Sequence, residues 1–447
     1  MNYDAAVRYL LSLGRELAAP TQAAAAKFDL ENITVLSKRL GRPDRAYPSA
    51  HIAGTNGKGS TAAFLESILR RAGFCTGLNT SPHLERINER IRVNGAEISD
   101  HDFAETLTRI QAQIEELLAA GGLRAHPTYF ECVTAMAFQY FAQTRVDFGV
   151  FEVGLGGRLD ATNILTPVIS LITRVDFDHE NFLGHSLREI AAEKAGILKQ
   201  GIPVVLAAQQ PEAREVILSR AKELGCPVIE TPPAYRVDEQ ATENGCVRAR
   251  ITEVGSGWSA TLAAQLAGHF QLQNAINAVA AARTLRVRGY QISGNAIEQG
   301  IAAAIWPGRL EKLQSQPDIY VDGAHNPGAA RELVAFWEEN FAGRKIFLLY
   351  GALRDKAVDE IAGVLFPRAT EVVFSEPRTS RAISASQLSE IAAHHAGHSS
   401  VIADAEQALD YLLSRAARQD AVFVTGSLYL VGQLRHYWRK RAQVAAR

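Results

Sequence analysis

An α/β protein with two parallel-sheet units is the fold class this sequence predicts, and three observations carry it. A glycine-rich turn at 54–60 sits between a short apolar run and a helix-period segment. Short apolar runs then alternate with helix-period segments, the pattern of strands covered on both faces. After Trp306–Pro307–Gly308–Arg309 the alternation begins afresh. A chain of 447 residues also exceeds the usual size of one core.

In order along the chain, residues 1–46 read as helices and a loop carrying Phe28–Asp29–Leu30. Strands are expected at 48–53, 75–80, 147–153, 167–173 and 203–207, and helices at 60–72, 100–120, 129–144, 187–199 and 211–224. Residues 228–265, with Gly245, Gly255 and Gly257, read as antiparallel hairpins, and 270–304 as helical. The second series has strands near 318–322, 345–350, 370–374, 399–402 and 420–424, each with a helix after it. That is the pattern of a doubly wound, Rossmann-like domain. The expected division is therefore 1–306, a P-loop-type domain with a parallel sheet, and 307–447, the C-terminal doubly wound domain.

Composition bounds the partners. Hydrophobic residues at 47% and charged residues at 21% are ordinary globular values. With 47 basic and 48 acidic side chains there is no basic excess to neutralise a nucleic-acid backbone, so no nucleic-acid partner is expected. Cys75, Cys132, Cys226 and Cys246 stand far apart, with no C-x-x-C pair. That suggests reduced thiols rather than a zinc site or disulfide frame. No 18-residue apolar run occurs and Met1–Asn2–Tyr3–Asp4 lacks a basic segment, so a soluble cytoplasmic chain without a membrane partner is expected.

The chemistry begins at Gly54–Thr55–Asn56–Gly57–Lys58–Gly59–Ser60–Thr61. An apolar strand, a glycine turn and a helix aim backbone N–H groups and a helix N-terminus at an anion. Lys58 would reach the terminal phosphates, and Ser60 or Thr61 would offer a hydroxyl to magnesium. The spacing departs from the common P-loop: Ile52 stands where its first glycine belongs, and Gly59 separates the lysine from the hydroxyl. The prediction is a nucleoside triphosphate site of a variant type.

Metal ligands beside the phosphates belong at strand C-terminal ends, where an open α/β sheet forms its crevice. Ser81 closes the strand after the P-loop helix. Glu152 ends a run too apolar for a solvated acid, so it needs either a cation or loop donors. His179 follows a third strand, as ligand or structural histidine; magnesium prefers oxygen, so a histidine would mark a second or less selective position. Gly154–Asn163 lacks dinucleotide-fingerprint spacing and reads as a substrate-shaping loop. Lys194 is either a solvated helical lysine or a site residue.

At these residues the chain closely resembles the folylpolyglutamate synthase/dihydrofolate synthase family of Mur-type ATP-dependent amide ligases. The resemblance runs from 28–30 through 54–60, 80–83, 128–131, 152–163, 178–179, 183–184 and 193–196, to 307–309, 322–327 and 425–427. The variant P-loop is this family's own form.

The resemblance implies a reaction. ATP phosphorylates a substrate carboxylate, the amino group of L-glutamate attacks the acyl phosphate, and phosphate leaves. Gly54, Thr55, Asn56, Gly57, Lys58, Gly59 and Ser60 would hold ATP, with Lys58 acting in catalysis. Ser60, Ser81 and Glu152 would bind a first magnesium ion and His179 a second. Lys194 matches the lysine that family members carry as a carbamate, an anionic ligand in place of a repelling ammonium. Asn274 resembles the adenine contact, and Arg309 and Asp322 the ATP contacts of the C-terminal domain. His325 and Ser427 resemble contacts for the incoming glutamate. Phe28, Asp29 and Leu30, with Thr128, Tyr129 and Phe130 and with Leu159, Asp160 and Ala161, match segments lining the pterin pocket. The implied substrates are ATP, L-glutamate, dihydropteroate and reduced folates, with a monomeric enzyme.

Single-activity relatives share this framework, so the enzyme is either bifunctional or a folylpolyglutamate synthase alone. A cell-wall or cyanophycin-type ligase is a rival that Tyr129–Phe130 and Leu159–Ala161 argue against. A nucleotide-dependent switch would require Lys194, Glu152 and His179 to be incidental.

Overall fold

The computed structural model describes residues 1–14, 29–243 and 245–445. Among them the N-terminal sheet holds β1 (Ser49–Ala53), β2 (Thr76–Asn79), β3 (Ile91–Val93), β4 (Ala96–Glu97), β5 (Phe148–Glu152), β6 (Ile169–Ile172), β7 (Val204–Leu206) and β8 (Val228–Glu230). Their spatial order is β4-β3-β2-β5-β1-β6-β7-β8, parallel from β2 to β8. β1, which feeds the glycine turn, is central and buried along its whole length. Its flanking strands β5 and β6 carry Glu152 and the approach to His179, so all three chain segments emerge on one sheet edge.

Helix Lys58–Arg71 runs back along this sheet. Phe64, Leu65, Ile68 and Leu69 recur at helical spacing and share a core with Ala275, Ala278 and Ala282 of helix His269–Val287 and Ile297 and Ile301 of helix Gly294–Ala303. Truncating a side chain such as Ile68 there would cost about 2–5 kcal/mol. On the other face, helix Tyr129–Gln143 starts at a capping box, in which Thr128 Oγ1 accepts from the Glu131 amide and Glu131 receives the Thr128 amide.

β9 (Tyr235–Glu243), β10 (Cys246–Glu253) and β11 (Ser259–Ala267) form an antiparallel sheet. The hairpin expectation for 228–265 needs one correction. Val228–Glu230 pairs parallel with β7 and closes the larger sheet, because a three-residue strand carries too little pattern to reveal its partner.

The C-terminal sheet holds β12 (Glu311–Gln314), β13 (Asp318–Val321), β14 (Ile346–Tyr350), β15 (Glu371–Glu376), β16 (Ser399–Asp404) and β17 (Ala421–Thr425), in the order β12-β13-β17-β14-β15-β16. All but β12 run parallel. Helix Leu428–Ala445 reaches the first lobe through Arg435, which pairs with Glu85 there and with Glu311 of β12. No helix among the described residues is long and apolar enough to cross a membrane.

Candidate active site

The phosphate loop is built by conformation. Gly57 caps helix Lys58–Arg71 with φ of 90°, a region that costs a glycine nothing. A Cβ at that position would also lie 2.2 Å from Asn274 Oδ1, so Asn274 sits directly against the turn. Thr55 and Asn56 amides donate to the Arg174 carbonyl at 2.8 and 3.2 Å, which ties the loop to the segment after β6. Thr55 Oγ1 donates to the Asp176 carbonyl at 2.9 Å. Ser60 is buried within the first turn of the helix, and the Thr61 hydroxyl beside it is buried without a partner.

Two lysines meet at this loop. Lys58 Nζ turns back to donate to the Thr55 carbonyl at 3.1 Å, and Lys194 Nζ donates to the Gly54 carbonyl at 3.0 Å. Burial lowers the Lys58 ammonium below its ordinary value, with Glu152 and Asp178 acting against the shift. Burial, reinforced by Lys58, brings Lys194 down to about 7. The sequence left Lys194 between solvated and functional; at 3% exposure it is not solvated.

Ser81 and Glu152 converge, the Ser81 amide donating to Glu152 Oε2 at 3.0 Å. Burial raises the Glu152 carboxyl, while Lys58, the Ser81 amide and Arg309 pull it down. His179 adopts φ of 52° just beyond. Burial lowers its imidazole to about 4 against the pull of Asp178, and its Nδ1 is buried without a hydrogen bond, 3.7 Å from Asp355 Oδ2.

The second lobe completes the cleft. Asn56 and Asn326 exchange amide hydrogen bonds of 3.2 and 2.9 Å. A Cβ on Gly328, at the start of helix Pro327–Asn340, would stand 2.4 Å from Asp176 Oδ2. His325 Nε2 lies 3.5 Å from Asp178 Oδ2, and Lys356 Nζ donates to Asp178 Oδ1 at 2.7 Å. Burial alone would raise the Asp178 carboxyl, but Lys356, His325 and His179 hold it well below the usual range. Arg309 acts electrostatically on Lys58, Glu152 and Asp322. Asp322 accepts from the Leu310 and Ala324 amides at 2.8 Å each.

Ser427 is buried after β17, and its Oγ accepts from the Tyr429 amide at 3.2 Å within its own turn. Of the segments matched to a pterin pocket, Phe28 lies outside the described residues. Exposed Asp29 accepts from the Glu31 amide at 2.9 Å, beside partly buried Leu30. Tyr129 is buried under the Arg90 guanidinium, 5.5 Å away. Phe130 reaches Gly154, where a Cβ would lie 2.5 Å from its ring. Leu159 is partly buried and Ala161 buried. Asp160 is buried with both oxygens turned to its own loop, accepting from the Gly154, Leu155 and Thr162 amides.

Sequence reasoning did not single out Lys356, Asp355 or Asn326. Lys356 and Asp355 follow the C-terminal end of β14, so the strand-end rule applied to the second sheet would have found them.

Residues 52–282 match the Mur ligase middle domain and residues 308–428 the Mur ligase glutamate ligase domain. The parallel sheets and the glycine-turn site are those of a Mur-type, ATP-dependent ligase. The chain is 37% identical over 416 residues to the dihydrofolate synthase/folylpolyglutamate synthase of Bacillus subtilis, covering 90% of this chain and 92% of that one. Mycobacterium tuberculosis folylpolyglutamate synthase complexed with ADP superposes with a TM-score of 0.89 at 30% identity, over 98% of both chains. Escherichia coli FolC in complex with DHPP and ADP does so with a TM-score of 0.85 at 30% identity, over 99% of both. The chain belongs to the folylpolyglutamate synthase/dihydrofolate synthase family.

Proposed function

We propose that this enzyme joins L-glutamate to dihydropteroate and to the γ-carboxylate of reduced folates, at the expense of ATP. The observation that carries the reading is Lys194: a buried amine brought to about 7, bonded to the phosphate loop with Lys58 and Asp178 acting on it. An amine with a substantial neutral fraction near pH 7 adds carbon dioxide readily, losing a proton, and becomes an anionic oxygen donor.

The donor set fits divalent ions. The Ser60 and Ser81 hydroxyls and the Glu152 carboxylate offer oxygen, as magnesium prefers. A second ion would take His179, whose Nδ1 lacks a partner, and the Lys194 carbamate. Bound magnesium would neutralise charge on the phosphates and on the developing acyl phosphate.

Gly54–Ser60 would hold the triphosphate through backbone N–H groups, with Lys58 on its terminal end and Asn274 toward the base. The folate carboxylate takes the γ-phosphoryl group and ADP forms. The glutamate amine attacks the acyl carbon, the C–O bond to phosphate breaks, and one proton is released. Arg309 and Asp322 would serve ATP from the second lobe, with His325 and Ser427 on the glutamate. The loop residues Asp29, Leu30, Thr128–Phe130 and Leu159–Ala161 would frame the pterin. The division of labour runs between 1–306 and 307–447. The free cysteines support a reducing cytoplasm, and a monomer is the assembly this reading takes.

Purified protein incubated with ATP, magnesium and glutamate, offered dihydropteroate and tetrahydrofolate in separate arms, tests this by product mass and phosphate release. Turnover in both arms is expected. Turnover with tetrahydrofolate alone would leave a folylpolyglutamate synthase, and turnover in neither overturns the reading.

A further inference from the structure

Beneath the loop at 154–163 runs a buried polar chain whose members His51 and Thr162 have no part in the reaction above. His51 lies at the middle of β1, fully buried, and its Nε2 is 2.8 Å from Thr162 Oγ1. The same Thr162 hydroxyl donates to Asp160 Oδ1. A hydroxyl has one proton. Burial raises the Asp160 carboxyl, but the Gly154, Leu155 and Thr162 amides all donate to it and favour the carboxylate. With the Thr162 proton going to that carboxylate, Thr162 Oγ1 accepts from His51, which selects the Nε2–H tautomer. Burial lowers His51 to about 3, so the ring is neutral at physiological pH.

The chain therefore has a direction: His51 Nε2–H to Thr162, Thr162 O–H to Asp160, and Asp160 Oδ2 accepting from the Gly154 and Leu155 amides at 2.9 Å each. It joins the strand that feeds the phosphate loop to the backbone two residues beyond Glu152. At the other end His51 Nδ1 is a buried acceptor without a partner. Its register neighbour on β6 is Ser170, whose hydroxyl is likewise buried and unpartnered. No hydrogen bond joins the two, so the chain ends at His51.

We propose that His51 is a positioning residue for the pteroate subsite: through Thr162 and Asp160 its Nε2–H holds the 154–161 loop in the shape that receives the pterin. This rests on the pterin reading of that loop. The chain reaches the loop and not the ATP turn, so losing it should weaken pteroate binding while sparing nucleotide binding. A general packing role would weaken both.

The test uses the full-length protein and calorimetric titration with dihydropteroate and, separately, ADP. His51→Leu removes the donor and Thr162→Val removes the relay at nearly constant shape. His51→Gln restores an N–H at about the reach of Nε2. The leucine and valine variants are expected to bind dihydropteroate about tenfold more weakly with ADP affinity unchanged, and the glutamine variant to recover most of the loss. Unchanged pteroate affinity in Thr162→Val, or parallel loss of ADP binding, overturns the proposal. Nitrogen-15 histidine spectra, assigned by the glutamine variant, should report the Nε2–H tautomer; an Nδ1–H form also overturns it. Wild-type protein that binds ADP but no pteroate refutes the substrate reading instead, and the tautomer then judges His51.

Discussion

Lys194 Nζ donates to the carbonyl oxygen of Gly54 at 3.0 Å, so a buried lysine is fastened to the first residue of the phosphate turn. Its folded value of about 7 lies below the roughly 10.4 of an unfolded lysine. Between those values the unfolded chain binds the extra proton, so folding stability falls as pH drops from about 10.4 to about 7. Against Lys194→Met, the wild type should therefore lose relative stability across that window and no further below it. Melting temperatures of both proteins in carbon-dioxide-free buffer measure this, and a pH-independent difference would contradict it. Added bicarbonate should raise wild-type activity and leave the variant inactive.

Lys58→Ala should abolish ligation, with kcat falling by at least about 10²–10³, because the terminal phosphates lose their fixed cation. The helix it begins is held by Gly57 and by the core at Phe64 and Ile68, so the circular dichroism spectrum should not change. Retained turnover would remove Lys58 from the mechanism.

Glu152→Gln keeps the shape and the Ser81 contact but not the charge. The magnesium concentration for half-maximal activity is expected to rise at least about tenfold. An unshifted titration would mean the carboxylate is not a ligand.

Lys356 and Asp178 form an ion pair between the lobes, and both are nearly buried. Lys356→Met leaves Asp178 with less compensation and should destabilise by about 3–5 kcal/mol. Adding Asp178→Asn should recover part of that loss in a double-mutant cycle followed by urea unfolding. Strictly additive effects would show that the pair is not coupled.

Gly328→Ala would set a methyl group 2.4 Å from Asp176 Oδ2 and 3.1 Å from Asn56 Nδ2. The lobes should then rest farther apart, seen as a larger radius of gyration in solution scattering and weaker ATP-analogue binding. Identical scattering would mean that neighbouring groups absorb the strain.

What the sequence made legible follows from how far each signal reaches. Glycine turn, strand and helix lie within a few residues of one another, so β1 and helix Lys58–Arg71 were found to within a residue or two. Ala96–Glu97 and Glu311–Gln314 escaped notice because short edge strands with charged residues lack an apolar period. In the site, Glu152 announced itself by being an acid inside an apolar run. Lys356 lies past the C-terminal end of a second-sheet strand, which marks it as a site candidate, but nothing near it in the chain says that Asp178 stands opposite. Contacts between lobes are set by topology, and a single sequence carries no local trace of them. Asp160 shows another limit: resemblance marks its segment for the substrate, but only the structure shows that its carboxylate accepts from the Gly154, Leu155 and Thr162 amides of its own loop.

The paired amides of Asn56 and Asn326 have one consequence for how the enzyme shuts. Between these two side chains each gives one hydrogen bond and takes one, so the pairing itself adds no charge to the seam and is indifferent to ionic strength, while Asn326 Nδ2 also reaches Asp178 Oδ2 at 3.4 Å. The ammonium–carboxylate contact a few residues away should feel added salt only when the cleft is open and wet. Salt would then alter how fast the two halves find each other far more than how firmly they stay together.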